Sequence, residues 1–504
     1  MLSIFDKGAP PPCTQPFNLA AHVLAAGAAT PDKIALSIVS PSGAERWSFA
    51  RMRAAVLGTA TGLLRSGLKP GDILLMRLGN TVEFPVAFLG AIAAGVVPVP
   101  TSSQLTGREV QGILDHLRPA AILHDEGVAC PATDIPVLSS DVMSLWHDLE
   151  PADFAKGDPE RLAYIIYTSG TSGVPRAVGH AHRAIWARQM MMDGWYGLTA
   201  ADRLMHAGAF NWTYTLGTGL MDPWTMGATA LIPAAGVGHD QIALLLKRHE
   251  ATIFAGAPGV YRNILKSAPP PLPKLRHGLA AGEKLSEHIR QDWLAATGTP
   301  IFEAYGMSEC STFISACPGQ PATGGALGRP QTGRRIALLD EAGAPVPRGT
   351  PGVIAVHRTD PGLMLGYVGA PEATAAKYAG EWFLTGDQGV MDEDDQVHYL
   401  GRADDMMNAG GYRVSPLEVE HALAGHPGIT EVGATDIEVK EDVRLIAAFY
   451  TGPAEIAPEE LQAWAAERLA RYKQPRFYVR LDQLPRNPNG KLLRRALRDL
   501  MPPR

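Results

Sequence analysis

The chain has 504 residues with a formal net charge of -6, and 46% of its residues are hydrophobic while 19% are charged. Length and composition predict an ordinary globular protein of about two to four domains, each large enough for its own hydrophobic core. The acidic balance lacks the basic footprint of a nucleic-acid-binding protein, so no nucleic acid partner is expected.

Cysteines, the N-terminus and the apolar segments restrict the cellular setting. The cysteines are Cys13, Cys130, Cys310 and Cys317, too few and too scattered for a disulfide framework or a zinc site. The N-terminal residues lack the long apolar core of a secretory signal, which predicts a cytoplasmic protein. No membrane span is expected, because prolines and polar residues interrupt the uncharged segment 84–107.

The first part of the chain has the pattern of layered α/β structure. Between residues 17 and 123, helical apolar patterns alternate with short apolar runs such as 73–76 and 120–123. That alternation predicts strands covered by helices. The uncharged segment 84–107 is predicted to be a buried helix that runs into a strand at 96–99.

A phosphate-binding loop is predicted at residues 167–176, YTSGTSGVPR, after an apolar run at 162–167 that is typical of a buried strand. Glycines let backbone N–H groups approach an anion, hydroxyls can donate to phosphate oxygens, and an arginine adds a cation at the rim. These residues are Thr168, Ser169, Gly170, Thr171, Ser172, Gly173 and Arg176. The loop lacks the Gly-Lys-Ser/Thr ending of a Walker loop, and a flexible surface loop is the alternative.

Two histidines, His180 and His182, follow the loop with the spacing of a metal-binding pair. No third ligand lies nearby in the sequence, so the pattern favours residues on a helix surface. No chemical role is assigned to them.

Residues 206–220, HAGAFNWTYTLGTGL, form an aromatic segment without acidic or basic side chains other than its histidine. Aromatic residues such as Phe210, Trp212 and Tyr214 are most often core, and a pocket wall is the second interpretation. The segment contains no Asp or Glu, so it offers no partner for an α-amino group. Amino acid substrates are therefore disfavoured.

The middle of the chain carries a strand, a helix and a second motif. A strand is predicted at 252–255, and Ser286 is predicted to cap a helix that ends at Gly298. The motif EAYGMSE at 303–309 then places a carboxylate, Glu309, just after a glycine. Carboxylate oxygens suit Mg²⁺, while an ordinary surface glutamate is the alternative.

The last third of the chain changes pattern. Two apolar runs after residue 334, separated by a Gly/Pro turn, predict a hairpin and hence an antiparallel β subdomain. LTGD ends in Asp387, and the segment 401–420, GRADDMMNAGGYRVSPLEVE, is the predicted domain boundary. Strands and helices alternate after it, and Lys491 follows an Asn-Gly turn where a lysine would ordinarily be solvated.

In this order the motifs resemble those of the adenylate-forming superfamily, which includes acyl-CoA synthetases, firefly luciferases and peptide-synthetase adenylation domains. The resemblance covers about residues 17–500, and short- and medium-chain and benzoate-type acid:CoA ligases are the most similar subgroup. The chain departs from the family pattern at Arg176, where members usually carry Lys. Arginine keeps the charge but changes the donor geometry.

The resemblance implies an α/β fold and an activity. A large N-terminal domain of layered α/β sheets with a β subdomain is expected at 1–402, and a small mobile α+β C-terminal domain at 403–504. The implied enzyme is an ATP-dependent, AMP-forming ligase that joins a small-molecule carboxylic acid to CoA through an acyl-adenylate. It would use ATP, Mg²⁺ and CoA and serve fatty acid metabolism. The sequence does not determine the oligomeric state, and a homodimer is one option.

The resemblance also assigns roles to individual residues. Lys491 is the catalytic lysine, which bridges the carboxylate and the α-phosphate, and Asp404 is the hinge. Thr168 and Glu309 act in catalysis by holding Mg²⁺. Tyr305 stacks on adenine and Asp387 binds the ribose. The other nucleotide-binding residues are Ser169, Gly170, Thr171, Ser172, Gly173, Arg176, Gly282, Glu283, Gly306, Met307, Ser308, Arg402 and Arg413. The acid pocket is assigned to Trp212, Tyr214 and Ala280, and the CoA-side tunnel to Gly410 and Gly411.

The aromatic side chains Trp212, Tyr214 and Trp195 predict a compact apolar pocket for short, medium or aromatic acids rather than long-chain fatty acids. Alternatives stay open. The enzyme could load a separate carrier protein, act as a nucleotide sensor without catalysis, or oxidise its adenylate as luciferases do. Intact motif residues disfavour the sensor.

Overall fold

The structure is a computed structural model that describes residues 1–168, 176–211, 213–402, 405, 407–409, 412–440, 443–469, 471–486 and 492–501. It contains two compact units. The large unit comprises Asp6–Arg335 and His357–Glu381, and the small unit comprises Met1–Phe5, Ile336–Val356 and Trp382–Arg504. Both contain sheets and helices, so the predicted α/β class is confirmed. The predicted boundary between residues 402 and 403 stays a prediction.

A nine-stranded sheet, counted over the described residues, forms the centre of the large unit. Its inner strands are parallel, one antiparallel strand follows on one side, and two successive strands in antiparallel pairing follow on the other. In spatial order the strands are Arg329–Pro330, Ser311–Ser315, Ile301–Met307, His277–Ala281, Ile253–Gly256, Arg203–His206, Thr229–Pro233, Ile34–Ser40 and Gly43–Ser48. The inner strands are almost wholly buried, as parallel strands covered by helices on both faces must be.

Two smaller sheets complete the strands of the large unit. One is parallel, in the order Val97–Pro100, Ile73–Arg77, Ala121–His124 and Val137–Ser139. The other is antiparallel, in the order Gly366–Tyr367, Arg176–Ala181 and Leu162–Thr168. A further short strand is Tyr378–Ala379.

The helices of the large unit pack on these sheets. The α-helices are Leu19–Val23, Phe49–Arg65, Glu83–Ala94, Gly107–Leu117, Ser140–Trp146, Ala184–Ala187, Asp222–Thr225, Ile242–Arg248, Pro258–Leu265, Glu287–Thr297 and Pro371–Ala375. Short 3-10 turns lie at Ala26–Ala29 and His239–Gln241, and π-helical turns at Met192–Tyr196 and Thr215–Met221.

Local predictions for two of these helices are confirmed. Glu83–Ala94 is buried along its length and leads into the strand Val97–Pro100. The Ser286 side chain accepts a hydrogen bond from Ile289 N–H at the start of Glu287–Thr297, and Gly298 ends that helix with a φ of 71°. Among the helices of the described residues, none combines the length and apolar character that crossing a bilayer requires.

The prediction that His180 and His182 lie on a helix surface is wrong. His180 belongs to the strand Arg176–Ala181, His182 follows it directly, and both are buried. The segment after the loop returns as the second strand of a hairpin, where His180 stacks on Tyr164 at 4.8 Å between ring centroids and His182 Nδ1 accepts a hydrogen bond from the Leu19 N–H at 3.1 Å. Burial lowers the pKa of each imidazole to about 4, so both are neutral near pH 7.

The small unit contains the predicted hairpin and an α+β region. The strands Ile4–Asp6, Arg335–Leu339, Gly352–His357, Trp382–Met391 and Val397–Arg402 belong to its larger sheet. The hairpin predicted after residue 334 is confirmed, because Ile336 pairs with Val356 in antiparallel register. The remaining strands are Met407–Ala409, Tyr412–Val414, Glu431–Lys440, Val443–Thr451 and Phe477–Arg480. The remaining helical segments are Pro416–Ala424, Pro458–Ala466, the 3-10 turn Arg471–Lys473 and Arg494–Arg498.

Candidate functional site

The hairpin Leu162–Thr168 and Arg176–Ala181 holds both ends of the predicted phosphate loop. Thr168 faces Arg176 in the antiparallel register, and the Thr168 hydroxyl donates to the Arg176 carbonyl oxygen at 3.5 Å. The loop residues predicted to bind phosphate, Ser169, Gly170, Thr171, Ser172 and Gly173, lie outside the described residues. A hydroxyl and a guanidinium group thus belong to the two residues of the hairpin that flank the loop.

Tyr367 connects this hairpin with Glu309. Its hydroxyl donates to Glu309 Oε1 at 2.7 Å, and Arg176 Cζ lies 5.2 Å from the centroid of its ring. The sequence predicted Glu309 and Arg176 but not Tyr367. No local pattern marks a tyrosine that lies far along the chain from both of its partners.

The motif 303–309 forms the strand Ile301–Met307 and the turn after it. Tyr305 packs edge-on against Phe313, with ring centroids 5.3 Å apart. Gly306 lies at a bulge, where a Cβ atom would stand 2.0 Å from the Ser311 carbonyl oxygen. The partner strand therefore requires glycine here, independently of any ligand. Met307 ends the strand and Ser308 is exposed.

A buried carboxylate in the same motif, Glu303, anchors the segment that contains Gly282 and Glu283. Glu303 is 1% exposed and accepts hydrogen bonds from Lys284 Nζ at 3.0 Å and from Leu285 N at 2.9 Å. Arg290 Nη2 adds a contact at 3.2 Å. This contact was not predicted from the sequence, although the position of Glu303 two residues before the Tyr-Gly pair was a possible signal.

The aromatic residues predicted to line an acid pocket form a stacked cluster. Tyr214 stacks with Trp195 at 6.2 Å between ring centroids and meets His206 edge-on at 4.5 Å. Burial lowers the pKa of His206 to about 3, so its imidazole is neutral. The predicted Trp212 lies outside the described residues.

Ala280 does not share this cluster. It packs on the other face of the central sheet, whereas its neighbour Ala281 packs with Trp195 and Tyr214. Side chains alternate between the faces of a strand, so a shift of one residue exchanges the two environments. Leu279 and Ala281 are thus the residues of this strand that pack with the aromatic cluster, and Ala281 is the smaller of the two.

A buried ion pair lies next to the aromatic cluster. Arg188 Nε and Nη2 donate to the Asp222 carboxylate at 2.7 and 2.6 Å, and Tyr196 donates to Asp222 Oδ2 at 2.6 Å. Arg188 also donates to the hydroxyl of Ser311. Burial disfavours the charged guanidinium, yet the Asp222 carboxylate raises the pKa of Arg188 above its ordinary value. This pair was not predicted from the sequence.

The small unit brings Asp387 and Arg402 together. The two residues face each other across antiparallel strands, with Arg402 Nη1 3.9 Å from Asp387 Oδ1. Tyr399, which the sequence analysis missed, donates to the same carboxylate at 3.1 Å. Burial and the Asp387 charge raise the pKa of Tyr399 well above its ordinary value. Gly386 has a φ of 85°, and a Cβ there would stand 3.2 Å from Arg402 Nη2.

Most predicted residues of the C-terminal region lie outside the described residues. They are Asp404, Gly410, Gly411 and Lys491. Arg413 belongs to the strand Tyr412–Val414, opposite Asn408. The segments before and after residues 487–491 are paired with each other. Arg486 and Leu492 form an antiparallel bridge, and the Leu493 N–H donates to the Pro485 carbonyl.

Two family models match the chain. The model described as "AMP-binding enzyme" matches residues 24–368, and the model described as "AMP-binding enzyme C-terminal domain" matches residues 418–491. The chain belongs to the AMP-binding enzyme family. The predicted membership of the adenylate-forming superfamily, among its acyl-CoA synthetases, is confirmed.

Relatives of this AMP-binding enzyme include two that are each 30% identical. One is the human mitochondrial acyl-coenzyme A synthetase ACSM2B, aligned over 86% of this chain and 80% of the relative. The other is the benzoate–CoA ligase of Thauera aromatica, aligned over 86% of both chains.

Solved structures of similar fold cover nearly the whole of this AMP-binding enzyme. An anthranilate CoA ligase in complex with anthranoyl-AMP superposes with a TM-score of 0.87 at 25% identity, over 97% of this chain and 98% of that one. A benzoate CoA ligase from Burkholderia xenovorans LB400 gives a TM-score of 0.83 at 29% identity, over 96% of this chain and 100% of that one.

The predicted metal ligands of this AMP-binding enzyme offer suitable donor atoms for Mg²⁺. Glu309 supplies a carboxylate and Thr168 a hydroxyl, and Mg²⁺ prefers oxygen ligands. In the part of the chain that the structure describes, no group of three or more His, Cys, Asp and Glu side chains could hold a metal. Nucleotide-bound Mg²⁺ needs only one or two protein carboxylates, because phosphate oxygens and waters complete its coordination.

Proposed function

We propose that the protein is an ATP-dependent, AMP-forming ligase that joins a short, medium or aromatic carboxylic acid to CoA. The observation that carries the proposal is the family match over both the large region and the C-terminal domain, together with the contact of Tyr367 with Glu309 and Arg176. Relatives that are named acyl-coenzyme A synthetase and benzoate–CoA ligase support the choice of reaction.

The first half-reaction makes the acid electrophilic. The substrate carboxylate attacks the α-phosphorus of ATP, and pyrophosphate leaves as the bond between the α- and β-phosphates breaks. Thr168, Arg176 and the loop 169–173 would hold the phosphates, and Lys491 would place its charge on the α-phosphate. Mg²⁺ bound at Glu309 and Thr168 would neutralise charge on the phosphate oxygens. Tyr305, with Gly306, Met307, Ser308, Gly282 and Glu283, would contact adenine, and Asp387, Arg402 and Arg413 the rest of the nucleoside.

The second half-reaction transfers the acyl group. The CoA thiolate attacks the acyl carbonyl of the adenylate, and AMP leaves. We place the mobile C-terminal domain at residues 403–504, after a nucleotide-binding domain at 1–402. Rotation at Asp404 would withdraw Lys491 and bring Gly410 and Gly411 to the thiol-carrying arm of CoA. The cytoplasmic location, the homodimer and the role in fatty acid metabolism stay predictions.

The proposed preference for acids whose remaining part is compact and uncharged rests on the aromatic cluster. Trp195 donates from Nε1 to the Phe302 carbonyl at 3.0 Å and stacks on Tyr214, which limits how far either ring can turn. The carboxylate of Asp222, which is buried next to the cluster, accepts hydrogen bonds from Arg188 and Tyr196. It is therefore not available to bind the α-amino group of an amino acid substrate. We therefore assign apolar acids, with Ala281 in place of Ala280 as the small residue beside the pocket.

Pyrophosphate release with a series of acids tests the proposal. We expect the highest kcat/KM with an acid between butyrate and octanoate or with benzoate, and a second product, the acyl-CoA, only when CoA is present. A carrier-protein enzyme would release pyrophosphate but form no acyl-CoA. A highest kcat/KM with palmitate would contradict the compact pocket, and no acid-dependent pyrophosphate release would contradict the proposal as a whole.

Asp387→Asn is expected to raise the KM for ATP by about tenfold, because it weakens charge-assisted hydrogen bonds to the ribose hydroxyls. The KM for the acid should stay within about twofold of its original value. Glu393→Gln is the matched control, since it removes the same charge at an exposed position of the same unit. An unchanged KM for ATP in Asp387→Asn would remove the ribose-binding role.

A further inference from the structure

One short segment, residues 364–368, joins the strand that begins at Arg176 to the residue predicted to bind Mg²⁺. Its backbone N–H groups at Leu365 and Val368 donate to the carbonyl oxygens of Gly179 and Ala177, each at 2.8 Å. The N–H of Met364 donates to the Glu309 carbonyl at 2.7 Å. The segment therefore makes backbone hydrogen bonds to both partners.

Tyr367 adds a side-chain contact to each partner. It is 8% exposed, its N–H donates to Thr374 Oγ1 at 2.9 Å, and its hydroxyl holds Glu309 Oε1 at 2.7 Å. The ring carries the Arg176 guanidinium, whose Cζ is 5.2 Å from the ring centroid. A buried ring with a fixed backbone has little freedom, so it restrains both charged groups at once.

We infer that Tyr367 is a positioning residue that sets Glu309 for Mg²⁺ and holds Arg176 at the rim of the phosphate loop. The inference deepens the proposed function and rests on its assignment of Mg²⁺ to Glu309. A tyrosine hydroxyl that donates to one oxygen of Glu309 restricts the glutamate side chain to one rotamer. The carboxylate then has its metal-binding orientation before Mg²⁺ arrives.

The inference also gives a reason for arginine at position 176. A flat guanidinium stacks on an aromatic face, whereas the ammonium of lysine is a compact and strongly hydrated charge. In this chain the cation at the rim of the loop therefore lies against the ring of Tyr367, a surface that suits arginine. The ring and the arginine form one unit, and each is expected to depend on the other.

Binding of α,β-methylene ATP, which cannot release pyrophosphate, tests Tyr367 without catalysis. Calorimetry with and without Mg²⁺ gives the gain in affinity that the metal supplies. In Tyr367→Phe this gain should fall by about tenfold, while the affinity without metal stays within about twofold. Titration of Mn²⁺ followed by electron paramagnetic resonance should show the same loss of metal affinity. Phenylalanine keeps the ring, which also lines a cavity of ≈ 520 Å³ beside Thr374 and Tyr378.

A second comparison tests the arginine. Tyr367→Leu, which also removes the ring, should lower the metal-free affinity by about threefold relative to Tyr367→Phe. In an Arg176→Ala background, the two substitutions at 367 should give equal metal-free affinities, because the cation that contacts the ring is already gone. Unequal affinities in that background would show that the ring acts without the arginine and would overturn this part of the inference.

The control is Tyr261→Phe, which removes a buried hydroxyl that donates to the Phe254 and Leu279 carbonyls at 2.9 and 3.0 Å. It should lower thermal stability and leave the metal-dependent gain unchanged. Equal losses of that gain in Tyr261→Phe and Tyr367→Phe, or no loss in Tyr367→Phe, would overturn the positioning role. A wild-type protein that binds the analogue equally with and without Mg²⁺ would instead overturn the metal assignment of the proposed function, and this inference with it.

Discussion

Lys491→Ala is expected to slow acid-dependent pyrophosphate release by about a hundredfold to a thousandfold, because the proposed mechanism uses the positive charge of this lysine to stabilise the α-phosphate, where negative charge accumulates. ATP binding should change by less than about threefold, since the charge matters chiefly in the transition state. The second half-reaction should survive. Supplied with a chemically prepared acyl-adenylate and CoA, the variant is expected to form acyl-CoA at close to the wild-type rate.

This separation of half-reactions distinguishes Lys491 from a residue that merely supports the fold. Lys69→Ala, at an exposed lysine of the large unit, is the control and should leave both half-reactions unchanged. The expected result is contradicted if Lys491→Ala slows both half-reactions equally, or if pyrophosphate release stays at the wild-type rate. The first outcome would indicate a general loss of structure, and the second would remove the lysine from the reaction.

Asp222→Ala is expected to lower the free energy of unfolding of the large unit by about 3 to 5 kcal/mol, because it leaves the Arg188 guanidinium buried without its partner. The side chains of Arg188 and Asp222 are 12% and 0% exposed, and Tyr196 loses its acceptor as well. Urea unfolding followed by tryptophan fluorescence is the measurement. Trp195 is a suitable probe, since it stacks on Tyr196 at 4.8 Å.

An exposed ion pair of the same unit provides the contrast. Arg358 and Glu381 are 48% and 60% exposed, and Glu381→Ala should cost less than about 1 kcal/mol. Replacing both buried partners, as Arg188→Met with Asp222→Leu, should recover much of the stability, because no charge is then left unpaired. A loss below about 1 kcal/mol in Asp222→Ala would show that water reaches Arg188 and that the pair is not a buried one.

Features that depend on neighbouring residues could be predicted from the sequence. The Ser286 cap, the buried helix Glu83–Ala94 and the hairpin after residue 334 follow from hydrophobic spacing and turn residues, which act within a few positions. The motif residues Glu309 and Asp387 were predicted as site residues because their sequence context resembles a known family. Their protein partners were not found.

Contacts between distant residues could not be predicted. Tyr367 and Glu309 are 58 positions apart, and Arg188 and Asp222 are 34 apart. No periodicity connects such pairs, because the path of the chain between them is set by the packing of whole sheets. The error at His180 has a related cause. The strand that contains His180 is buried, so its sequence has no alternation of polar and apolar residues. The spacing of His180 and His182 alone therefore gave no sign that both residues are interior.

The close approach at Gly306 limits how this protein can diversify. Since even a methyl group would collide with the neighbouring backbone, random replacement at this codon should recover only the parental residue among folded variants. In the proposed acid pocket, by contrast, we expect new acid preferences to arise at side chains that can change volume, such as Tyr214 and Trp195. Directed evolution of this scaffold should concentrate its libraries there and leave the Tyr-Gly step untouched.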